Sequence, residues 1–209
     1  MDKEKLFECV QAFSALLDIR YHIVLGRAGK TAEFVISFDK ADCYHLMGIH
    51  YLQDRTDRRG RNTIFDELLS SEEIRDYYAT SDFWTDELVE RILCTTSIEK
   101  ILDDENTVFR YSQRRLQFFS KISAEYLMEY SGDRLEGSDI SDTYLFIDKR
   151  SGSDDRYCKS VFAKGDRDYT RGQTKWTLLY KEKEHVSSNK VEILYQHKSY
   201  RREGASDIE

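Results

Sequence analysis

The chain contains no proline, so no turn in it relies on a ring-fixed φ and no helix is stopped by a missing backbone N–H. Cysteine is sparse. Cys9, Cys43, Cys94 and Cys158 are widely spaced and form no CxxC pair, which argues against a zinc ribbon or a disulfide framework and reads as free thiols in a reducing cytosol. No apolar run approaches the roughly 18 residues of a membrane span. The opening MDKEKLFECV mixes charges and lacks the apolar stretch of a signal peptide. Positive charge is not in excess either: the net charge of −7 argues against uniform coating of a nucleic acid by a basic protein.

What is present is a core and an uneven charge distribution. Apolar residues make up 40% of the 209 and charged residues 34%, enough for one domain with a charged surface. From Thr143 to Glu203 there are 14 Lys and Arg against 9 Asp and Glu, a balance of +5, and the remainder carries −12. A basic C-terminal part beside an acidic N-terminal part points to a local anion-binding face.

Along the chain, Leu6, Phe7, Val10, Phe13 and Leu17 recur at helical spacing over residues 3–17. RYHIVLGRAGKTAEFVISF reads as a hairpin turning at Gly26–Lys30. FDKADCYHLMGIHYLQD reads as a second helix capped by Asp39, with Gly48 in mid-helix at a cost of about 1 kcal/mol. RTDRRGR (55–61) is a charged loop. Residues 62–102 read as two or three helices, capped by Asn62 or Thr63, by Ser70 or Ser71, and by Asp82; nothing in this acidic stretch looks chemical, and it reads as an insert packed over a sheet. From Thr107, TVFRY, KISAEYLMEY, TYLFID, RYCKSVFA, KWTLLYKEK and VEILYQ read as strands between Gly-, Ser- and Asp-rich turns. The expected class is α+β: a helical N-terminal half packed on an antiparallel sheet of about four to six strands. Residues 1–200 are expected to form a single domain with a helical insert at about 55–105, and 201–209 a frayed tail.

Two regions carry candidate chemistry. His45 and His50 lie five residues apart, which on one continuous helix turns them about 140° from each other; the i, i+4 spacing of a metal pair is absent, so no metal site is expected. His45 reads either as a half-buried packing residue or as a general acid or base. In RYCKSVFAKGDRDYTRGQTKWTLLYKEK (156–183), cations (Lys159, Lys164, Arg167, Arg171, Lys175) alternate with aromatics (Tyr157, Phe162, Tyr169, Trp176). That is either an ordinary strand pair with a solvated face or a surface that grips phosphates and stacks unpaired bases. RNA cleavage would need only a base for the ribose 2′-hydroxyl, cations for the phosphoryl oxygens and an acid for the departing 5′-oxygen.

FVISFDKADCYHLMGIHYLQD and SVFAKGDRDYTRGQTKWTLLYKEK together resemble a phage-associated nuclease-like family, one of those named for barnase, EndoU, colicin and RelE-like folds. The shared pattern is a strand, a helix with H-L-x-G-[IL], a variable helical insert, and a sheet with (R/K)-D-Y-x-x-G-Q-x-x-[WY], from about Phe7 to Tyr195. The resemblance implies a barnase/RelE-like fold and a metal-independent endoribonuclease of mobile elements, needing no cofactor and working in the host cytoplasm. It implies His45 as acid, base or orienting residue, with Tyr169 and Lys175 as further catalytic candidates. Lys159, Ser160, Arg167, Arg171 and Gln173 would bind RNA, with His50 and Lys149 behind them. The implied partner is RNA, and the implied career either a toxin or a counter-defence protein acting on guide RNA or a CRISPR effector ribonucleoprotein; a non-catalytic inhibitor binding such a complex by charge complementarity is the alternative. The catalytic reading expects one pocket to unite His45 with Lys159, Arg167 and Lys175.

Overall fold

The computed structural model describes residues 2–55 and 58–201. In chain order the elements are α1 (Asp2–Leu16), β1 (Ile19–Arg27), β2 (Lys30–Ile36), α2 (Lys40–Met47), α3 (Arg61–Ser70), α4 (Glu72–Ala79), α5 (Asp86–Thr96), α6 (Ile98–Asp103), β3 (Thr107–Arg110), β4 (Tyr126–Ser131), β5 (Asp142–Lys149), β6 (Arg156–Ala163), β7 (Thr174–His185) and β8 (Lys190–Gln196). Of the predicted tail at 201–209, residues 202–209 lie outside the described residues, as do residues 56–57 of the predicted charged loop.

The local signals work through ordinary chemistry. α1 buries Leu6, Cys9, Val10, Phe13 and Leu16, a stripe at helical period. The hairpin turns on Ala28 and Gly29, whose positive φ of 48° and 75° match the two-residue turn that follows strand twist. Asp39 caps α2, and the Asp42 carboxylate returns to accept the Asp39 backbone N–H at 2.9 Å. Among the described residues, the insert contains four helices rather than two or three. Ser71 and Thr85 cap α4 and α5, each side chain accepting a backbone N–H one turn on; the cap expected at Asp82 is taken by Thr85. Of the insert, α5 packs against both α1 and β6.

The sheet corrects the expected architecture. All six strands read after Thr107 form, but with the hairpin they make eight, in the order β1-β2-β6-β5-β4-β3-β7-β8, and β7 pairs again with β1. The result is a closed seven-stranded mixed barrel with β8 added outside the ring, in place of an open antiparallel sheet of four to six strands. Closure depends on the twelve-residue β7. One of its edges runs along β1 from Thr177 to His185. Its other edge is shared, with Lys175 opposite Phe109 of β3 and Glu182 opposite Ile193 of β8. The second seam is thin and parallel: Ile36 opposite Arg156 is the one β2–β6 pair, supported by the Ser37 N–H donated to the Arg156 carbonyl at 3.0 Å. Neither seam joins strands that follow one another, so periodicity along the chain does not reveal it.

β4 and β5 are buried on both faces. Tyr126, Met128, Leu145 and Ile147 face the main core with the helices; Leu127, Tyr144 and Phe146 face a second cluster with Phe109, Tyr111 and Tyr169. The lid over that second face is the irregular chain at 111–125, which contributes Leu116, Phe118 and Ile122.

Candidate active site

Where α2 ends, a cleft of about 270 Å³ opens against β6, lined by Asp42, His45, His50, Tyr51, Arg91, Lys121, Ile122, Tyr157, Cys158, Lys159 and Ser160. Four chain segments meet there: the end of α2 with the 3₁₀ turn Ile49–Tyr51, the middle of α5, the 111–125 segment, and the first half of β6.

Gly48 is where the prediction for the histidines fails. It does not sit in mid-helix. It ends α2 in the left-handed conformation (φ 81°), donating its N–H to the His45 carbonyl at 3.1 Å. The chain reverses there, so His45 and His50 do not diverge; their ring centroids lie 4.9 Å apart. A Cβ at position 48 would come within 2.9 Å of Arg91 Cδ and 3.0 Å of Leu88 Cδ1, so both the backbone sign and the space demand glycine.

The imidazoles are neutral near pH 7. Burial is the main cause at His45, with the Arg61 and Arg91 charges adding to it against Asp42; its pKa lies below the usual histidine value. At His50, burial beneath neighbouring groups, then His45, Arg91 and Arg61, push the pKa down to about 4. Although part of its surface is exposed, its ring packs at 4.0 Å on Tyr51 and against His45.

Arg91 is the residue that sequence reasoning missed. It comes from α5, in the insert judged devoid of chemistry. Its Nε donates to the Leu46 carbonyl at 2.8 Å and its Nη2 to Ser160 Oγ at 2.9 Å, and its guanidinium lies 5.8 Å from the Tyr51 ring centre. Among the described residues it has no carboxylate partner, and burial holds its pKa below the ordinary arginine value. A partly buried guanidinium without a counter-ion leaves electrostatic stabilisation unused until an anion arrives. The available signal was positional: Arg91 follows buried Leu88 by three residues and precedes buried Ile92, a cation at the edge of an apolar stripe.

The other charges in the cleft are mostly paired. Lys159 Nζ sits 2.5 Å from Asp148 Oδ2. Asp42 is held by Arg150, Nη2 to Oδ2 at 2.7 Å, and Arg150 also reaches Asp39 at 2.6 Å. Lys121 is exposed at the mouth and has no ion-pair partner among the described residues. Cys158 is fully buried and its thiol is pushed up by burial, far from a reactive thiolate.

Of the residues singled out from sequence, the cleft gathers His45, His50, Lys159 and Ser160. Arg167, Tyr169, Arg171, Gln173 and Lys175 lie outside it, so the single pocket uniting His45 with Arg167 and Lys175 does not form. Tyr169 is buried among Phe118, Tyr144, Phe146 and Phe162, with ring centres 5.0–5.5 Å away. Gln173 spends its amide on the Ser112 backbone, accepting its N–H at 2.8 Å and donating to its carbonyl at 3.1 Å. Just before Tyr169, Asp168 accepts the Thr170 and Arg171 N–H groups and closes the turn. This motif therefore pins the 111–125 segment, whose Lys121 and Ile122 form one wall of the cleft. Arg167 lies 5.6 Å from the Phe118 ring. Arg171 is exposed, Lys175 is exposed on β7 beside Trp176, and Lys149 pairs with Asp154 at 3.1 Å. Among the described residues, no group of three or more His, Cys, Asp or Glu side chains is arranged to hold a metal ion, and no helix is long and apolar enough to cross a membrane.

A barrel with a short helix ending in H-L-x-G, a helical insert returning Arg91 to that helix, and the D-Y-x-x-G-Q clamp extends over nearly the whole chain, and so does the family match. The model of the phage-Barnase-EndoU-ColicinE5/D-RelE like nuclease4 family matches residues 5–198. The chain belongs to this family. Comparison with curated proteins and with solved structures yields no match. Membership makes it a phage-associated nuclease-like protein.

Proposed function

We propose that the protein is an endoribonuclease that cleaves by attack of the ribose 2′-hydroxyl on the adjacent phosphate. The observation that carries this reading is the Arg91 guanidinium, without a carboxylate partner among the described residues, opening with Lys121 onto a cleft that also holds two neutral imidazoles. Arg91 and Lys159 hold the phosphodiester and take up the charge that gathers on its oxygens. His45 removes the proton of the 2′-hydroxyl, for which a neutral ring is required; His50, packed on it, fixes its orientation. Lys121 or Lys159 returns a proton to the departing 5′-oxygen. Ser160 positions Arg91 rather than attacking. The expected phage-borne roles are those of a toxin or a counter-defence protein acting on guide RNA.

Incubation of purified protein with structured RNAs, guide RNA included, in EDTA tests this. Cleavage leaving 2′,3′-cyclic phosphate ends, lost in His45→Ala and Arg91→Met variants that keep their circular dichroism, is the expected result. An inert wild type across transfer, messenger and guide RNAs would remove the catalytic reading. A product-free, salt-sensitive complex unaffected by His45→Ala would leave instead a non-catalytic binder of RNA or of a CRISPR effector.

A further inference from the structure

A second cavity, of about 450 Å³, adjoins the cleft and shares Arg91 and Tyr51 with it. Its remaining lining is Phe83, Thr85, Glu87, Leu88, Glu90, Phe162 and Ala163. Its chemistry differs from that of the cleft. Apart from Arg91 it contains no cation, and its polar rim carries two carboxylates. Two carboxylates against one guanidinium disfavour an anion there, and the aromatic lining suits a flat group that carries N–H donors. Tyr51 and Phe83 expose 56% and 44% of their surfaces, large for aromatic side chains beside a cavity, and available for stacking.

From this we infer that the cavity is a nucleobase subsite and that its preferred occupant is guanine. The inference rests on the ribonuclease reading above and gives it a substrate preference. A carboxylate accepts hydrogen bonds and donates none. Among the four RNA bases, guanine presents two adjacent donors, N1–H and the N2 amine, which one carboxylate accepts side by side. Cytosine and adenine offer one amine next to an acceptor nitrogen, and uracil sets its single N–H between two carbonyls; each turns a lone pair toward the carboxylate. Glu90 is the acceptor. It is exposed at the rim and, among the described residues, has neither a hydrogen-bond nor an ion-pair partner. Glu87, by contrast, is partly occupied, its pKa lowered by its own backbone N–H and the Thr85 hydroxyl at the start of α5. Arg91 lies at the boundary and lines both cavities, its Nη2 donating to Ser160 of the phosphate cleft. A nucleotide spanning the two would place its base in one and its phosphate in the other.

The test uses the intact chain and the mononucleotides guanosine 3′-monophosphate and uridine 3′-monophosphate, titrated calorimetrically, alongside cleavage-site mapping on a mixed-sequence RNA. The expected result is binding of the guanosine nucleotide about tenfold or more tighter than the uridine one, the discrimination of a charge-assisted hydrogen bond. Glu90→Gln should abolish that discrimination, and Phe83→Ala should weaken both nucleotides. Equal affinities in the wild type, or a preference that survives Glu90→Gln, would overturn the inference. The His45→Ala variant separates the two readings: it should lose cleavage and keep the guanosine preference. Cleavage without base preference would sink the subsite and leave the ribonuclease, whereas preference without cleavage would do the reverse.

Discussion

Replacing Gly48 by alanine perturbs the one backbone position that brings the two imidazoles together. At φ 81° an L-residue pays the left-handed penalty, about 1–2 kcal/mol. Its Cβ would also lie 2.9 Å from Arg91 Cδ and 3.0 Å from Leu88 Cδ1. Arg91 is tethered by its bonds to the Leu46 carbonyl and Ser160, and Leu88 is buried, so neither withdraws freely; crowding of this kind adds about 1–3 kcal/mol. The combined loss of roughly 2–5 kcal/mol corresponds, for a chain of this size, to a drop in Tm of about 5–20 °C. Gly165→Ala is the control, because nothing lies within 4 Å of a Cβ there and its φ is not positive. Melting followed by far-ultraviolet circular dichroism reads the difference. If the turn opens, NMR titration should also show the His50 pKa moving back toward 6.5. A Gly48→Ala protein that melts within about 1 °C of the Gly165→Ala control, with an unchanged His50, would refute the argument that this turn is sterically specified.

Acid sensitivity should have a histidine component. The pKa of His50 is about 4 in the folded chain against 6.5 ordinarily, so between these values the unfolded chain binds the proton first and stability falls as pH falls; His50→Gln should flatten that part of the urea midpoint against pH, and parallel curves would contradict the packing of the ring. Gln173→Ala removes two hydrogen bonds to the Ser112 backbone and should cost about 1–3 kcal/mol; limited proteolysis should become faster at 112–125, and an unchanged rate there would show that the Tyr169 packing and the Arg115 bonds to Gly172 and Thr174 hold the segment without it. Asp42→Ala strips Arg150 of a buried partner and α2 of its returning cap, for a loss of roughly 2–4 kcal/mol given that Asp39 still holds Arg150; a denaturant midpoint within about 0.5 kcal/mol of wild type would mean that the pair is not coupled to the fold.

The residues that could be read in one dimension are those whose signal is local. The stripe of α1, the Asp39 cap, the hairpin at Ala28–Gly29 and the six strand segments each follow from neighbours a few positions away. His45 and the basic run through Lys159 and Ser160 were visible because their residue types are chemical. Gly48 was visible as an anomaly and misread, since a glycine after H-L-M fits a helix interior as well as a helix end until its φ is known. Tyr169 and Gln173 drew attention because aromatic and amide side chains also serve RNA, yet here they hold the chain at 111–125.

What the sequence determined by itself, then, is the first helix, the hairpin, the strand segments, the Asp39 and Ser71 caps, and the supply of imidazoles and cations, because these depend on side-chain period and backbone preference over one or two turns. The tertiary structure alone decided that the strands close into a barrel, that His45 meets His50, and that Arg91, without a carboxylate partner among the described residues, lines two adjoining cavities. Those outcomes come from pairings across tens to more than a hundred residues, β1 with β7 and α5 with β6, where burial and space between distant segments, and not any local preference, select the partner.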